Sequence, residues 1–383
     1  MTVLSFDIIA QKKPSKIGEI AAQLDYAFDE IAKVKAINPK AVSPRSTKGD
    51  TLLMVPSKDW TSGFFAGDLW YMYELTKDEK WLVKAKEFTA PLEREKTNGT
   101  THDMGFKMYC SFGNGYRLTK DPKYRDILLE AARTLTTRFN PTIGCIKSWD
   151  HHNDVWPFPV IIDNMMNLEL LFWAFKETKD SLFYKVAISH ANTTMKNHFR
   201  ADYSSYHVIG YDVKTGKAIQ KNTHQGYNDA SAWARGQSWG LYSYAMCFRE
   251  TGDAKYLNQA ENIAQFILKH PNLPEDLVPY WDYNAPTIPN TPRDVSAASI
   301  MASAFYELST QVPAKAKFYK QTADKLMESL SAKYRAGLKT NKGFLLTSST
   351  GNLPANSEIN VPMVYADYYY LEALLRKRNL KKQ

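Results

Sequence analysis

Apolar and amphipathic segments alternate along most of this chain, with the periodicity of α-helices. Four segments that are apolar around most of their circumference each precede an amphipathic one, and two more apolar segments follow at 294–308 and 361–375. Further amphipathic segments lie at 16–35 and 313–334. A helix that is apolar on most sides is buried on most sides. The pattern therefore predicts an all-α protein with an inner ring of six buried helices wrapped by an outer ring of six amphipathic ones.

A short phrase recurs where an apolar segment gives way to an amphipathic one. It is ELTKDEKWL at 74–82 and returns with changes at 117–125, 177–185 and 250–258. Asp is a favoured N-cap, so the aspartate of each phrase predicts the start of an outer helix. These aspartates are 43, 59 and 73 residues apart, too uneven for a stacked solenoid. The short turns should lie at one end of the ring and the long aromatic connections, where function concentrates, at the other.

Length and composition are compatible with one large folded unit. The 383 residues are 44% hydrophobic and 13% aromatic, which is ample for a buried core. We predict a single domain over residues 16–383. Residues 1–15 resemble the end of a secretory signal without its basic leader, so we predict a truncated signal or a disordered N-terminus there. Such a signal would place the protein in the periplasm, with the cytoplasm as the alternative.

Charge and cysteine content exclude several classes of protein. The net charge is +9, which suits nucleic acid, a membrane surface or an acidic small molecule. Lys and Arg are mixed with Asp and Glu except in the C-terminal RKRNLKKQ, which we expect to be a solvated tail, so nucleic acid is not the predicted partner. No run of about 18 uncharged apolar residues could span a membrane. The three cysteines lie far apart, which predicts neither a disulfide framework nor a cysteine metal site.

The sequence carries no motif for a cofactor or a metal. It lacks the glycine-rich phosphate loop, the Rossmann fingerprint and the nucleophile elbow. His102, His151 and His152 are the histidines that suggest a metal, but no HxxxH-type helix or cysteine pair accompanies them. We therefore predict no metal and no cofactor.

Two aspartates occupy unusual positions at the start of buried segments. Asp163 lies in PVIIDNMMNLELL, between two isoleucines and two methionines, where a carboxylate is costly unless it is hydrogen-bonded or neutralised. It is either an N-cap or a proton donor whose pKa the apolar surroundings raise. Asp103 of THDMGF holds the matching position in the preceding buried segment. Two carboxylates at the same end of the barrel would raise the pKa of one of them, which favours the role of Asp163 as a proton donor over that of an N-cap.

Aromatic and polar residues also gather in the long connections. Each tryptophan there is either core or a stacking platform for the apolar face of a sugar: Trp60, Trp149, Trp156, Trp239 and Trp281. Arg235 precedes Trp239 by one helical turn, and forms either a site for an anion or a structural ion pair. His207 and Gln225 are polar loop residues that either contact a ligand or form ordinary loop hydrogen bonds.

Several of these motifs together resemble the unsaturated glucuronyl hydrolase family of glycoside hydrolases. The resemblance runs from Trp60 to Leu375 and is carried by THDMGF, VIIDNMMNLELL, SSYHV, QGYNDASAWARGQSW and ADYYYLEALLR. The family fold is an (α/α)6 barrel of six inner and six outer helices, in agreement with the ring predicted above. The resemblance implies an enzyme that releases a terminal 4,5-unsaturated glucuronic acid from lyase-generated oligosaccharides by hydrating its C4=C5 bond.

The resemblance also implies a role for each candidate residue. Asp163 gives a proton to C4 and helps to activate the water that adds at C5, and Asp103 assists and tunes it. The residues implied to bind the substrate are Trp60, Trp149, His207, Gln225, Arg235 and Trp239. The implied partner is a glycosaminoglycan-derived disaccharide, and we predict a monomer or a weak homo-oligomer.

Three alternatives stay open at this point. An unsaturated rhamnogalacturonyl hydrolase would use the same barrel. An ordinary glycosidase with paired carboxylates would cleave saturated glucuronides. A non-catalytic helical protein that binds glycans would leave its ligand unchanged.

Overall fold

A ring of paired helices forms the body of the molecule in the computed structural model, which describes residues 15–381. Even-numbered helices form the inner ring and odd-numbered helices the outer one. The helices are α1 (Lys16–Ile37), α2 (Phe64–Thr76), α3 (Glu79–Thr89), α4 (Asn114–Thr119), α5 (Pro122–Thr136), α6 (Leu168–Thr178), α7 (Ser181–Asn197), α8 (Ala234–Thr251), α9 (Ala254–Lys269), α10 (Val295–Gln311), α11 (Ala316–Lys333) and α12 (Val364–Leu380).

The inner ring is closed. A π-helical segment, Gly105–Gly113, leads into α4, and a 3-10 segment, Ile162–Asn167, leads into α6. With these extensions each inner helix contacts the next one, and α12 contacts α2. The predicted (α/α)6 barrel is confirmed. Within residues 15–381 no helix is both long and apolar enough to cross a bilayer.

The recurring phrase forms the turns that join inner to outer helices. The predicted N-caps are confirmed, since each aspartate accepts a hydrogen bond from the backbone N–H two residues further on: Asp78, Asp121, Asp180 and Asp253. The residue before each aspartate ends the inner helix in the left-handed region, with φ between 59° and 71°: Lys77, Lys120, Lys179 and Gly252. At Gly252 the residue type is the one that most often adopts this left-handed conformation at the end of a helix.

Short strands lie at the opposite end of the barrel. The all-α prediction did not include these strands. A hairpin is formed by β1 (Ser43–Lys48) and β2 (Thr51–Val55), and a second pair by β3 (Phe139–Asn140) and β4 (Cys145–Ile146). A three-stranded antiparallel sheet has the order β5 (Pro159–Ile161), β6 (Val208–Tyr211), β7 (Ala218–Asn222). In that sheet Ile161 lies opposite Val208, and the N–H of Ile162 donates to the carbonyl of His207 at 3.1 Å. The sheet therefore places His207 beside the segment that carries Asp163.

At the C-terminus the structure corrects a prediction. The basic run was expected to be a solvated tail, but its residues up to Leu380 form the last part of α12. Arg376 pairs with the buried Glu307, and Arg378 donates to the carbonyl of Glu74 at 3.0 Å. The predicted N-terminal signal or disordered segment lies outside the described residues except for Ser15, which caps α1.

Candidate active site

A cavity of about 280 Å³ opens at the end of the barrel where the long connections meet. Both predicted carboxylates line it, because each lies where a connection enters an inner helix. Predicted residues in its wall are Trp60, Asp103, Trp149, Asp163, Gln225 and Arg235. The structure therefore brings together residues that are distant in sequence.

Asp163 does not cap a helix. It lies in the first turn of the 3-10 segment ahead of α6, where no side chain caps the N-terminus. The residue is 8% exposed, and its Oδ2 has no hydrogen-bond partner among residues 15–381. Burial raises its pKa to about 7; the Arg235 charge opposes this shift and the Asp103 charge adds to it. The acid is therefore partly protonated near neutral pH, as a proton donor requires.

Asp103 lies at the same mouth in a more polar setting. Its Oδ2 accepts a hydrogen bond from the Thr101 hydroxyl at 2.5 Å, and its Oδ1 lies 3.3 Å from Nε2 of His102. The two helix starts are in close contact, because a Cβ on Gly105 would lie only 2.6 Å from Cα of Asn167. Glycine at that position therefore allows the segments that carry the two aspartates to approach each other.

His207 faces Asp163 in a fixed tautomer. Its Nδ1 accepts hydrogen bonds from the backbone N–H groups of His224 and Gln225, at 3.1 and 3.2 Å. The ring hydrogen is therefore on Nε2, which lies 3.6 Å from Oδ2 of Asp163. Burial lowers the pKa of His207 well below its usual value, so the ring stays neutral. A neutral N–H directed at a carboxyl oxygen can donate a hydrogen bond to it once the proton has left.

Arg235 forms the structural ion pair that the sequence left as an alternative. Its Nη1 lies 3.0 Å from Oδ2 of Asp294, and its guanidinium also donates to the carbonyls of Thr350 and Gly351 at 2.7 and 2.6 Å. It is nevertheless in the cavity wall, 4.4 Å from the Trp233 ring. Most of its N–H groups are used, so its contribution to the cavity is mainly its charge.

The tryptophans divide into two groups. Trp60 and Trp149 line the cavity, as the stacking prediction requires. Trp239 does not, since it is fully buried against Phe106 below the cavity. Its indole N–H lies close enough to Asp163 to lower the pKa of that acid, without meeting hydrogen-bond geometry. Trp156 and Trp281 are also buried, and their N–H groups bond to Asn222 and Thr291, so none of these three is a platform.

Residues of the last connection also belong to the site, and the sequence predictions did not include them. Asn352 lines the cavity, and Gln225 donates to the carbonyl of Gly351 at 3.1 Å. Glu358 anchors this connection by accepting two bonds from Arg45, at 2.6 and 2.8 Å. The only signal was a polar stretch, GNLPANSEINVP, with no periodicity to mark its orientation.

No metal-ligand arrangement accompanies the site. Within residues 15–381 no three His, Cys, Asp or Glu side chains are grouped so that they could hold an ion. His102 is buried beside Asp103, whereas His151 stacks on Trp149 with ring centroids 5.0 Å apart.

A closed helical barrel with two carboxylates and two tryptophans in a terminal cavity is an arrangement typical of carbohydrate-active enzymes. The chain belongs to Glycosyl Hydrolase Family 88, whose sequence profile matches residues 34–374. It is therefore a glycoside hydrolase, and the predicted family is confirmed.

Individual relatives agree with this assignment. The chain is 48% identical to an unsaturated glucuronyl hydrolase of Formosa agariphila, over 97% of this chain and 92% of that protein. It is similar to the crystal structure of an unsaturated glucuronyl hydrolase specific for heparin, with 46% identity, a TM-score of 0.89 and coverage of 95% and 98%. A mutant of the Streptococcus agalactiae unsaturated glucuronyl hydrolase, complexed with dGlcA-GalNAc6S, matches with 26% identity, a TM-score of 0.76 and coverage of 96% and 93%.

Proposed function

We propose that this protein releases the terminal 4,5-unsaturated glucuronic acid from lyase-generated oligosaccharides, with Asp163 as the proton donor. The proposal rests on one observation: the carboxyl group of Asp163, in the wall of a cavity, is buried, has a pKa raised to about 7, and has one oxygen without a hydrogen-bond partner among residues 15–381. The names of the relatives support the substrate class, since they act on unsaturated glucuronyl residues.

The double bond of the substrate is an enol ether, and its hydration requires an acid and then a base. Asp163 transfers its proton to C4, which leaves an oxocarbenium ion at C5 and the carboxylate of Asp163. Water adds at C5 and gives its proton to that carboxylate, which restores the acid. The hemiketal formed at C5 opens, and the bond to the remaining sugar breaks. A pKa near 7 suits both halves of this cycle, because neither protonation state is strongly disfavoured.

The neighbours of Asp163 have complementary tasks. The Nε2–H of His207 stabilises the carboxylate that forms after proton transfer, because it already faces Oδ2. The negative charge of Asp103 adds to the effect of burial in raising the pKa of Asp163. Trp60 and Trp149 stack on the faces of the sugar rings, and the positive charge of Arg235 favours an anionic uronate. Gln225 orders the rim through its bond to Gly351 and offers its amide oxygen to sugar hydroxyls.

The proposed partner is an unsaturated disaccharide from a glycosaminoglycan. A solution assay with such a disaccharide should show loss of the ultraviolet absorbance of its conjugated double bond. Reaction in heavy water should place one deuterium at C4, and deuterium absent from C4 would exclude the protonation proposed here.

Three other outcomes identify the alternatives. Turnover of unsaturated galacturonyl-rhamnose alone would make the protein the pectin-specific enzyme. Cleavage of a saturated glucuronide would indicate an ordinary glycosidase. Binding without any loss of absorbance would indicate a glycan-binding protein.

A further inference from the structure

The hairpin of β1 and β2 contains a β-bulge at Arg45. Pro44 and Ser46 lie opposite consecutive residues of β2, so Arg45 between them has no partner residue in the ladder. A bulge bends its strand and redirects the side chain of the extra residue, and bulges are frequent beside active sites. The contacts of Arg45 show where this bulge directs its side chain.

One guanidinium joins the first connection of the barrel to the last one. Nε and Nη2 of Arg45 donate to the two carboxylate oxygens of Glu358, at 2.6 and 2.8 Å. Nη1 donates to Oδ2 of Asp59 at 2.9 Å. The three side chains are at most 21% exposed, so solvent screens these charges only in part. The planar fork of arginine is the group that can bind a carboxylate through two parallel bonds.

The last connection has a conformation that needs such an anchor. Asn356 and Glu358 have φ of 49° and 55°, in the left-handed region. Asparagine tolerates this region, whereas for glutamate it is uncommon and persists only where the surroundings hold it. Arg45 binds the Glu358 side chain, and the hydroxyl of Ser46 donates to the carbonyl of Pro362 at 2.7 Å. Strand β1 therefore holds this connection at two points.

The anchored connection reaches the cavity wall a few residues away. The N–H of Gly351 donates to the carbonyl of Glu358 at 2.7 Å. The carbonyl of Gly351 accepts from Arg235 and Gln225, at 2.6 and 3.1 Å, and the next residue, Asn352, lines the cavity. A displacement of Glu358 would therefore move one side of the cavity wall.

The other partner of Arg45 lies beside a stacking platform. Oδ1 of Asp59 accepts bonds from the N–H and the hydroxyl of Thr61, at 2.9 and 2.7 Å. These bonds close a turn around Trp60, whose ring centre lies 6.0 Å from Cζ of Arg45 and 5.0 Å from the ring of Tyr365. The same guanidinium therefore also holds the turn that carries the platform.

We propose that Arg45 is a positioning residue for substrate binding, which fixes the separation between Trp60 and residues 351–352 across the cavity. Arg45 is not among the residues of the cavity wall in the described part of the chain. It therefore acts through the two connections that it joins. This inference rests on the proposed function and names a further residue for the same site.

The expected effect is on KM. Loss of Arg45 would loosen walls that hold the substrate equally in the ground state and the transition state, and such a loss raises KM with kcat little changed. Arg235 keeps its bonds to Asp294 and to the carbonyl of Thr350 without Arg45. The charge opposite Asp163 therefore stays in place, and proton transfer should proceed as before.

The first test measures turnover of an unsaturated glycosaminoglycan disaccharide. Arg45→Gln should raise KM about tenfold and change kcat by less than about threefold. Arg45→Lys keeps the charge without the fork, so its KM should lie between those of the wild type and Arg45→Gln. Arg125→Gln is the matched control, because Arg125 is a partly exposed arginine paired with Glu177 at 2.9 Å at the turn end. Its KM should stay within about twofold of the wild type.

The second test measures the connection itself by hydrogen–deuterium exchange, which needs no turnover. The peptide that covers residues 351–362 should exchange at least about fivefold faster in Arg45→Gln, with peptides of α8 unchanged. Glu358→Gln leaves the pair of Arg45 and Asp59 in place, and should accelerate the same peptide and raise KM by a smaller factor. This variant carries the test if Arg45→Gln does not fold.

Each contrary result has a distinct meaning. Unchanged exchange in residues 351–362 would show that Arg45 does not hold the connection and would overturn the proposal. Faster exchange with an unchanged KM, or a fall in kcat alone, would overturn its role in substrate binding. If the wild type does not hydrate the disaccharide, the proposed function has failed, and the exchange rates still decide whether Arg45 holds the wall.

Discussion

The barrel has a cavity at each end, and each cavity is lined by an acid whose pKa is raised to about 7. Asp163 lies at the connection end, and Glu169 lines a cavity of about 210 Å³ at the turn end, with Glu74, Glu372 and Arg376. Glu169 is paired with Arg249. Asp163 has one oxygen without a hydrogen-bond partner among the described residues, directed toward a neutral histidine.

The comparison shows that a raised pKa alone does not mark a catalytic acid. Asp367 has the same pKa of about 7, yet its oxygens accept hydrogen bonds from two backbone N–H groups at 2.7 and 3.0 Å. Its side chain anchors a loop, and Glu169 belongs to an ion-pair network. Of these three acids, only Asp163 combines a raised pKa, an oxygen without a hydrogen-bond partner among residues 15–381, and stacking platforms in the same cavity; that combination supports the assignment.

The strongest test of this contrast replaces each acid by its amide. Asp163→Asn should lower kcat by about 1,000-fold or more, because the amide has a similar size but cannot deliver a proton. Glu169→Gln, the matched control, should retain activity within about threefold. Rates come from the loss of double-bond absorbance, and binding of substrate to Asp163→Asn is measured by calorimetry. Near-normal turnover by Asp163→Asn would remove this residue from the mechanism.

A pair of substitutions should move the pH profile in opposite directions. The acid must be protonated, so kcat should fall as pH rises above about 7, the pKa of Asp163. Asp103→Asn removes a charge that raises this pKa and should shift the midpoint to lower pH, with kcat reduced about 10- to 100-fold. Trp239→Phe removes an N–H that lowers the pKa and should shift the midpoint to higher pH. Shifts of the same sign would contradict the proposed electrostatics.

At the turn end a substitution should affect stability and leave the chemistry intact. Glu307 is buried and pairs with both Arg249 and Arg376. Glu307→Gln would leave two arginines without their common partner and should lower the free energy of unfolding by about 3 kcal/mol. Denaturant unfolding measures this change, and Asp103→Asn, at the other end, serves as the control with little loss. A large fall in kcat for folded Glu307→Gln would show that the two ends are coupled.

The smallest effect is expected at the turns themselves. Asp180 caps α7 by accepting from the N–H of Leu182 at 2.9 Å. Asp180→Ala should cost about 1 kcal/mol of unfolding free energy, whereas Asp180→Asn keeps an acceptor and should cost less. Equal losses in the two variants would mean that the cap is not the source of the effect.

The sequence predicted the barrel because helical periodicity and the capped turns are local signals. The short strands β5 and β6 were missed, since strands of three or four residues inside long connections show too little alternation to be recognised. The pair of carboxylates was predicted because Asp163 lies in an unusual apolar setting and Asp103 holds the matching position in the preceding buried segment. These two residues also lie in THDMGF and VIIDNMMNLELL, which carry the resemblance to the family.

Other parts of the site depend on contacts that no local pattern reports. The ion pair between Arg45 and Glu358 joins residues that are 313 positions apart in the sequence. It anchors the last connection, the one that carries Asn352. Trp239 was expected to hold the substrate, but the same helical face passes from the cavity wall at Arg235 to the packed interior one turn later. Periodicity identifies the inward face of a helix and does not tell how deep the cavity reaches along it.

The bonds that fix the His207 ring have a consequence for mutagenesis. Both donors to Nδ1 are peptide N–H groups, of His224 and Gln225, so alanine scanning of this loop would leave them in place and report only on the side chains. Replacing Gln225 by proline deletes one donor outright. Here the peptide backbone, rather than any loop side chain, decides on which nitrogen the ring carries its hydrogen.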